Sequence, residues 1–228
     1  RLARVVEAHS EIGARIRVVR RQRQRLLVPL DRVRVPLGVE VGVGELQRSA
    51  RRATVTLRGP DAPPPASAEA MVELGAQFWP LTLARELDDA ILDIRANEFD
   101  VAAIVFKSSG DPTQVLAYDE FLNTNKDHWL AREIRGFWKR ALKRIDLTSR
   151  SLVTLVEPGS CFAGTLAEVV FASDRSYMLL GRRDGDNKPP ATIVLTEANF
   201  GAYPMSNGLT RLESRFLANP VDVEAAQA

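Results

Sequence analysis

Cysteine and histidine are nearly missing from this chain: Cys161 stands alone, and His9 and His128 are the two histidines among 228 residues. A lone cysteine excludes a disulfide framework and a cysteine-rich zinc site, and it suits a reducing compartment. Two histidines leave little for a histidine-based metal centre. Long apolar runs are lacking as well. No stretch approaches the roughly 18–20 residues a membrane helix requires, and no signal-peptide core opens the chain. Methionine first occurs at Met71, so the chain is expected to be a fragment of a longer protein. What remains, 45% hydrophobic and 26% charged residues, is the composition of an ordinary globular domain. At this length roughly 70% of the unfolded surface can be buried without a disulfide or metal staple. The expectation is a soluble, cytoplasmic protein that crosses no membrane.

Lysine is absent from residues 1–52, which carry 13 arginines against five acids (Glu7, Glu11, Asp31, Glu40 and Glu45) for a net charge of +8. With +2 for the whole chain, the other 176 residues stand at −6. A basic head on an acidic body is either an arm for phosphates or an acidic partner face, or a solvated leader. The cluster between Arg15 and Arg25 has no aromatic residues between its arginines and no recognised motif, so nucleic acid is disfavoured as a partner.

Hydrophobic spacing divides the chain. Residues 1–25 have thin helical spacing (Val5, Ile12, Ile16, Val19), and residues 26–44 are too broken by Pro and Gly for a helix and only weakly strand-like. Residues 53–57 alternate as a short strand. Gly59, Pro60 and the Pro63-Pro64-Pro65 run then read as a linker. The organisation expected is a basic leader over residues 1–58, a Pro-rich linker over 59–70 and the main domain over 71–228. Within that domain, Leu83, Leu87, Ala90, Ile91 and Ile94 share one helical face over residues 81–97. Residues 101–106 form an apolar run suited to a strand covered on both sides. A second amphipathic helix spans 128–145, a strand 152–156, a helix 165–172, strands 177–180 and 192–195, and a closing helix 209–217. Trp79, Trp129 and Trp138 fall at apolar helical positions and are assigned to the core. Strands alternating with helices of this length predict a layered α/β domain.

Two strand ends carry the candidate chemistry. One runs from Ile104 through Ser108-Ser109-Gly110-Asp111-Pro112 to Asp119; the other runs Glu157-Pro158-Gly159-Ser160-Cys161-Phe162-Ala163-Gly164-Thr165 to Glu168. Each is strand, tight turn, then helix, and a helix start offers backbone N–H groups and positive potential. Two such N–H groups facing each other would stabilise an oxyanion.

These residues resemble the crotonase (enoyl-CoA hydratase/isomerase) superfamily. Asp119 falls where that superfamily has its Gly-Ala-Asp aspartate, and Glu168 where it has its first catalytic glutamate. Glu197, in Leu195-Thr196-Glu197-Ala198-Asn199-Phe200-Gly201-Ala202-Tyr203-Pro204, resembles the second. Residues 84–92, Lys126-Asp127-His128-Trp129 and the Glu157–Thr165 segment are more narrowly similar to the benzoyl-CoA-dihydrodiol lyase family, over residues 64–216. Members are about twice this length with two crotonase-like halves, and this chain resembles the C-terminal one.

The resemblance implies a crotonase-like (ClpP/crotonase) layered ββα superhelix and a CoA-thioester lyase/hydrolase. Such an enzyme opens the ring of 2,3-epoxybenzoyl-CoA, the dihydrodiol form, to a semialdehyde-CoA plus formate. No cofactor is implied beyond the coenzyme A of the substrate. Leu116 and Gly164 N–H would form the oxyanion hole, Glu168 and Glu197 the acid/base pair, with Cys161 and Asp119 near the site. The partners implied are an acyl-CoA substrate and the N-terminal crotonase half of the same protein, with homo-oligomerisation left open.

Some residues depart from the pattern. Leu116, Ala117 and Tyr118 replace small residues, Thr165 replaces a glycine, and one extra residue separates Gly159 from Glu168. The competing expectation is a non-catalytic, degenerate half that docks against and braces the catalytic one. Under it Glu168 ion-pairs with an arginine such as Arg175, Glu197 caps the loop before Asn199, Cys161 is a buried filler and His128 caps its helix.

Overall fold

The computed structural model describes residues 5–7, 41–181, 185 and 187–227. The Arg15 to Arg25 cluster, His9 and most of the spacing noted over residues 1–25 lie outside them. In chain order the strands are β1 (Val5–Glu7), β2 (Val41–Gln47), β3 (Arg52–Arg58), β4 (Ala103–Ser109), β5 (Ser151–Val156) and β6 (Arg175–Leu179). The helices are α1 (Ala68–Leu74), α2 (Trp79–Asn97), α3 (Pro112–Thr124), α4 (Trp129–Asp146), α5 (Ala167–Ala172), α6 (Arg211–Arg215) and α7 (Val221–Gln227). The strands make one sheet in the order β1-β6-β5-β4-β3-β2. Neighbours from β3 to β6 run parallel, and β1 and β2 close the edges antiparallel. A parallel sheet needs crossovers, which α2, α3 with α4, and α5 supply, so the layered α/β expectation holds.

Local chemistry explains the helices. Asp111 caps α3 by accepting the Thr113 N–H at 2.8 Å, with Pro112 in the first turn, where a missing N–H costs nothing. His128 caps α4, its ring nitrogen accepting the Leu130 N–H at 3.2 Å. The apolar stripe of α2 is buried at Leu83, Leu87, Ala90, Ile91 and Ile94, and that of α4 at Ala131, Ile134, Trp138, Leu142 and Ile145. Ile104, Val105 and Phe106 of β4 are all buried, as a strand covered on both faces requires.

Four expectations need correction. Residues 53–57, assigned to the leader, lie in β3 between β2 and β4, and Ala53, Val55 and Leu57 belong to the core. The domain therefore includes residues ahead of the Pro-rich segment, which passes from the end of β3 to α1. Residues 41–47, within and just past the stretch too broken for a helix, form β2, because an edge strand tolerates glycine on a bulged ladder. Residues 192–195 form only an isolated bridge, Val194 to Ala163, since the sheet is already closed by β1 beyond β6. Trp129 is 56% exposed against the His128 ring, whereas Trp79 and Trp138 are core residues tied by their indole N–H groups to the carbonyls of Arg58 and Pro80.

Candidate functional site

The loops that follow β3, β4 and β5 meet at the carboxyl end of the parallel strands, where α/β sheets place their sites. Gly59 N–H donates to the Ser109 carbonyl at 2.8 Å, and Gly110 N–H to the Gly159 carbonyl at 3.2 Å. Gly110, at φ +142°, approaches so closely that a side chain there would lie 2.9 Å from the Gly59 Cα. A cavity of about 450 Å³ opens between α3, α4 and the segments around Thr165 and residues 196–203. α3 contributes Leu116, Asp119, Glu120 and Asn123, α4 contributes Arg135, and Thr165, Thr196, Glu197 and Tyr203 complete the polar lining.

Asp119 dominates the inner wall. The Thr165 N–H donates to its Oδ2 at 2.7 Å and the Thr165 hydroxyl to its Oδ1 at 2.7 Å. With that proton committed, the Tyr203 hydroxyl donates in turn to Thr165 Oγ1 at 3.0 Å. Burial pushes the Asp119 carboxyl up to about 6, against the Thr165 hydrogen bonds and the nearby Arg135 charge, which pull it down. Burial also pushes the Tyr203 phenol well above its ordinary range. The result is a carboxyl of raised pKa at the head of a hydroxyl chain.

A raised carboxyl favours the protonated folded state. Its stabilisation is fully present below pH 3.8, the ordinary value, and is lost as pH rises through about 6. The wild type is therefore expected to lose up to about 3 kcal/mol over that window relative to Asp119→Asn, which cannot ionise. Urea unfolding of both proteins at intervals from pH 4 to 7.5 checks this; parallel curves would reject the shifted carboxyl.

The residues expected to act as a catalytic set are not brought together. Glu197 reaches the cavity edge, exposed, and Asp119 lines its wall. Glu168 does not line it. Its Oε1 accepts from Asn199 Nδ2 at 2.7 Å and its Oε2 from Arg211 at 2.8 Å, in a site where all three residues are buried. Burial pushes this carboxyl up, while Asn199 and Arg211 pull it back. The Arg211 guanidinium also grips both oxygens of Asp146 at 2.9 and 2.7 Å and donates to the Tyr203 carbonyl at 2.8 Å. The ion pair expected with an arginine such as Arg175 is made by Arg211, 43 residues from Glu168, because α6 packs on α5.

The N–H groups expected to form the oxyanion hole have partners within the fold. Gly164 N–H is committed to the Val194 carbonyl at 2.9 Å. Leu116 lies in the second turn of α3, where helix geometry directs its N–H to the carbonyl four residues back. Cys161 does not face the cavity: it is fully buried, its N–H donates to Ser108 Oγ at 3.0 Å, and burial pushes its thiol up to about 11. Tyr118 points away as well, packing on Phe78 and Trp79 with its hydroxyl on the Pro63 carbonyl. The loop cap ascribed to Glu197 is made by Asn199, whose Oδ1 accepts the Thr196 N–H at 2.9 Å.

Arg135, Thr165, Tyr203 and Arg211 were not singled out as site residues beforehand. Tyr203 did fall within the stretch quoted for the second glutamate, but its inward orientation depends on the loop that follows residue 195.

No family model matches the chain. Among solved structures, AtuE of Pseudomonas aeruginosa has a TM-score of 0.38 at 14% identity, covering 60% of this chain and 46% of that one. An enoyl-CoA hydratase from Bacillus halodurans gives 0.38 at 16% identity, covering 60% and 49%. In sequence, the benzoyl-CoA-dihydrodiol lyase of Aromatoleum evansii is 44% identical over 184 residues, 80% of this chain and 32% of that protein. The chain thus spans about a third of the length of the curated relative it matches. At such identity over four-fifths of its own residues, the chain is a homologue of a segment of benzoyl-CoA-dihydrodiol lyase.

Proposed function

We propose that this chain is the supporting, C-terminal crotonase-like half of a CoA-thioester lyase that opens the ring of 2,3-epoxybenzoyl-CoA, with the ring-opening chemistry carried by the N-terminal half. The observation that carries the proposal is the fate of Glu168. Both its oxygens are engaged, by Asn199 and Arg211, and it has no share in the cavity that Glu197 borders. An acid/base pair must reach the same substrate atoms, within hydrogen-bond distance or through one water. The engaged Gly164 N–H removes half of the expected oxyanion hole as well. What is left is a bracing half that docks on its partner half, with no cofactor beyond the coenzyme A carried by the substrate.

One observation favours a second reading, in which this half turns over substrate itself: Asp119 and Glu197 share the cavity, where burial pushes the Asp119 carboxyl up to about 6. Formate release from 2,3-epoxybenzoyl-CoA by the complete protein separates the two. Asp119→Asn and Glu197→Gln are expected to leave kcat within about twofold of wild type, and this chain alone to release no formate. A fall of about a hundredfold or more in either variant, with the fold intact, would move the working site into this half.

A further inference from the structure

Two stripes run along α4, and only one is explained by folding. The stripe of Ala131, Ile134, Trp138, Leu142 and Ile145 is buried in the core. On the other side Arg132, Arg135, Gly136, Lys139 and Arg140 recur at three- and four-residue intervals. With Lys126 and Glu133 they line a concavity of about 380 Å³. Five cations face one carboxylate there. Among the described residues, none of the five lies within ion-pair distance of an acid.

Like charges at these spacings repel and weaken a helix. A glycine in the middle of a helix weakens it further. Gly136 has no positive φ to require it, and an added Cβ would meet only the Arg140 guanidinium, at 3.6 Å. Folding therefore does not call for glycine there; its effect is to leave the floor of the groove open. Arg140 is held over that floor by stacking on the Phe137 ring, 5.3 Å from guanidinium to centroid. Arg135 is half-buried and lines both the groove and the Asp119 cavity.

We propose that this groove is a binding site for a diphosphate group, or two adjacent phosphates, of a small-molecule ligand. Guanidinium forks pair with phosphate oxygens two at a time, and three arginines with two lysines around a small hollow match about two phosphates. A broad acidic protein face would need no hollow and no glycine floor. The site stands whether or not this half turns over a thioester.

Isothermal titration of inorganic diphosphate into the chain at low ionic strength tests it. The expected result is saturable 1:1 binding that weakens steeply with added salt. The double variant Arg132→Gln/Arg140→Gln should bind at least tenfold more weakly. Gly136→Ala should bind several-fold more weakly while its thermal midpoint rises, because the methyl group fills the floor and favours the helix. ADP and free coenzyme A, titrated in parallel, tell which carrier the groove accepts. Absence of saturable binding, or binding indifferent to both variants, would overturn the proposal. So would equal affinity for single inorganic phosphate, or tight binding of polyglutamate with none of diphosphate, the latter marking an acidic partner surface instead.

Discussion

Arg211→Leu is expected to destabilise the domain by about 3–5 kcal/mol, lowering the thermal midpoint by roughly 10 °C. The guanidinium is buried and satisfies two carboxylates at once, Glu168 and Asp146, together with the Tyr203 carbonyl. Removing it strands two buried negative charges in a medium that solvates them poorly, which is the costly way to break an ion pair. The side chain ties α4, α5 and the loop bearing Tyr203 to α6, so the loss is felt across the cavity wall. Adding Glu168→Gln and Asp146→Asn to Arg211→Leu should recover a large part of the loss, because no uncompensated charge then remains. A triple variant no more stable than Arg211→Leu would show that the network is not electrostatic in origin. The expected changes are read by thermal unfolding of the whole chain.

Gly164→Ala should be nearly as damaging, for a steric reason. The backbone there has φ +46°, where a side chain is strained, and an added Cβ would sit 1.9 Å from Asp119 Oδ2. The Thr165 N–H and hydroxyl both hold Asp119 in place, so the carboxylate cannot move aside without giving up two hydrogen bonds. Strain and lost bonds together amount to about 3 kcal/mol or more. Asp119→Ala removes the clashing atoms, so Gly164→Ala introduced on that background should cost far less than on the wild type. Equal costs on the two backgrounds, measured by urea unfolding, would mean that the clash is not with Asp119. This glycine was expected to lend an N–H to an oxyanion. Its conformation is instead what lets α3 and the start of α5 close on one another.

Helices α2 and α4 and strands β4 and β5 were legible from apolar spacing, because their buried faces are written in consecutive turns or residues. The helix cap at His128 was legible for the same reason, since a cap and its N–H lie two residues apart. Asp119 was found through a resemblance, and the structure gives it a wall of the cavity. Glu168 was found in the same way, and its neighbours change its part. Burial beside Asn199 and Arg211 makes it a structural anion, and no local pattern encodes which arginine would arrive.

Sequence alone determined that this is an α/β domain with two amphipathic helices, a strand covered on both sides, and a homologue of part of a larger lyase. Local periodicity and chain identity carry that much, because each depends on residues near one another along the chain. Tertiary structure alone decided that β3 enters the sheet from ahead of the Pro-rich segment, that Gly164 spends its N–H on Val194, and that Arg211 reaches Glu168. It also decided that the cations of α4 line a hollow beside the Asp119 cavity. These are contacts between distant segments, set by which faces the packed elements leave for one another. A carboxylate's role follows from its surroundings once packed, since burial and a guanidinium at hydrogen-bond distance govern its proton far more than its place in a motif.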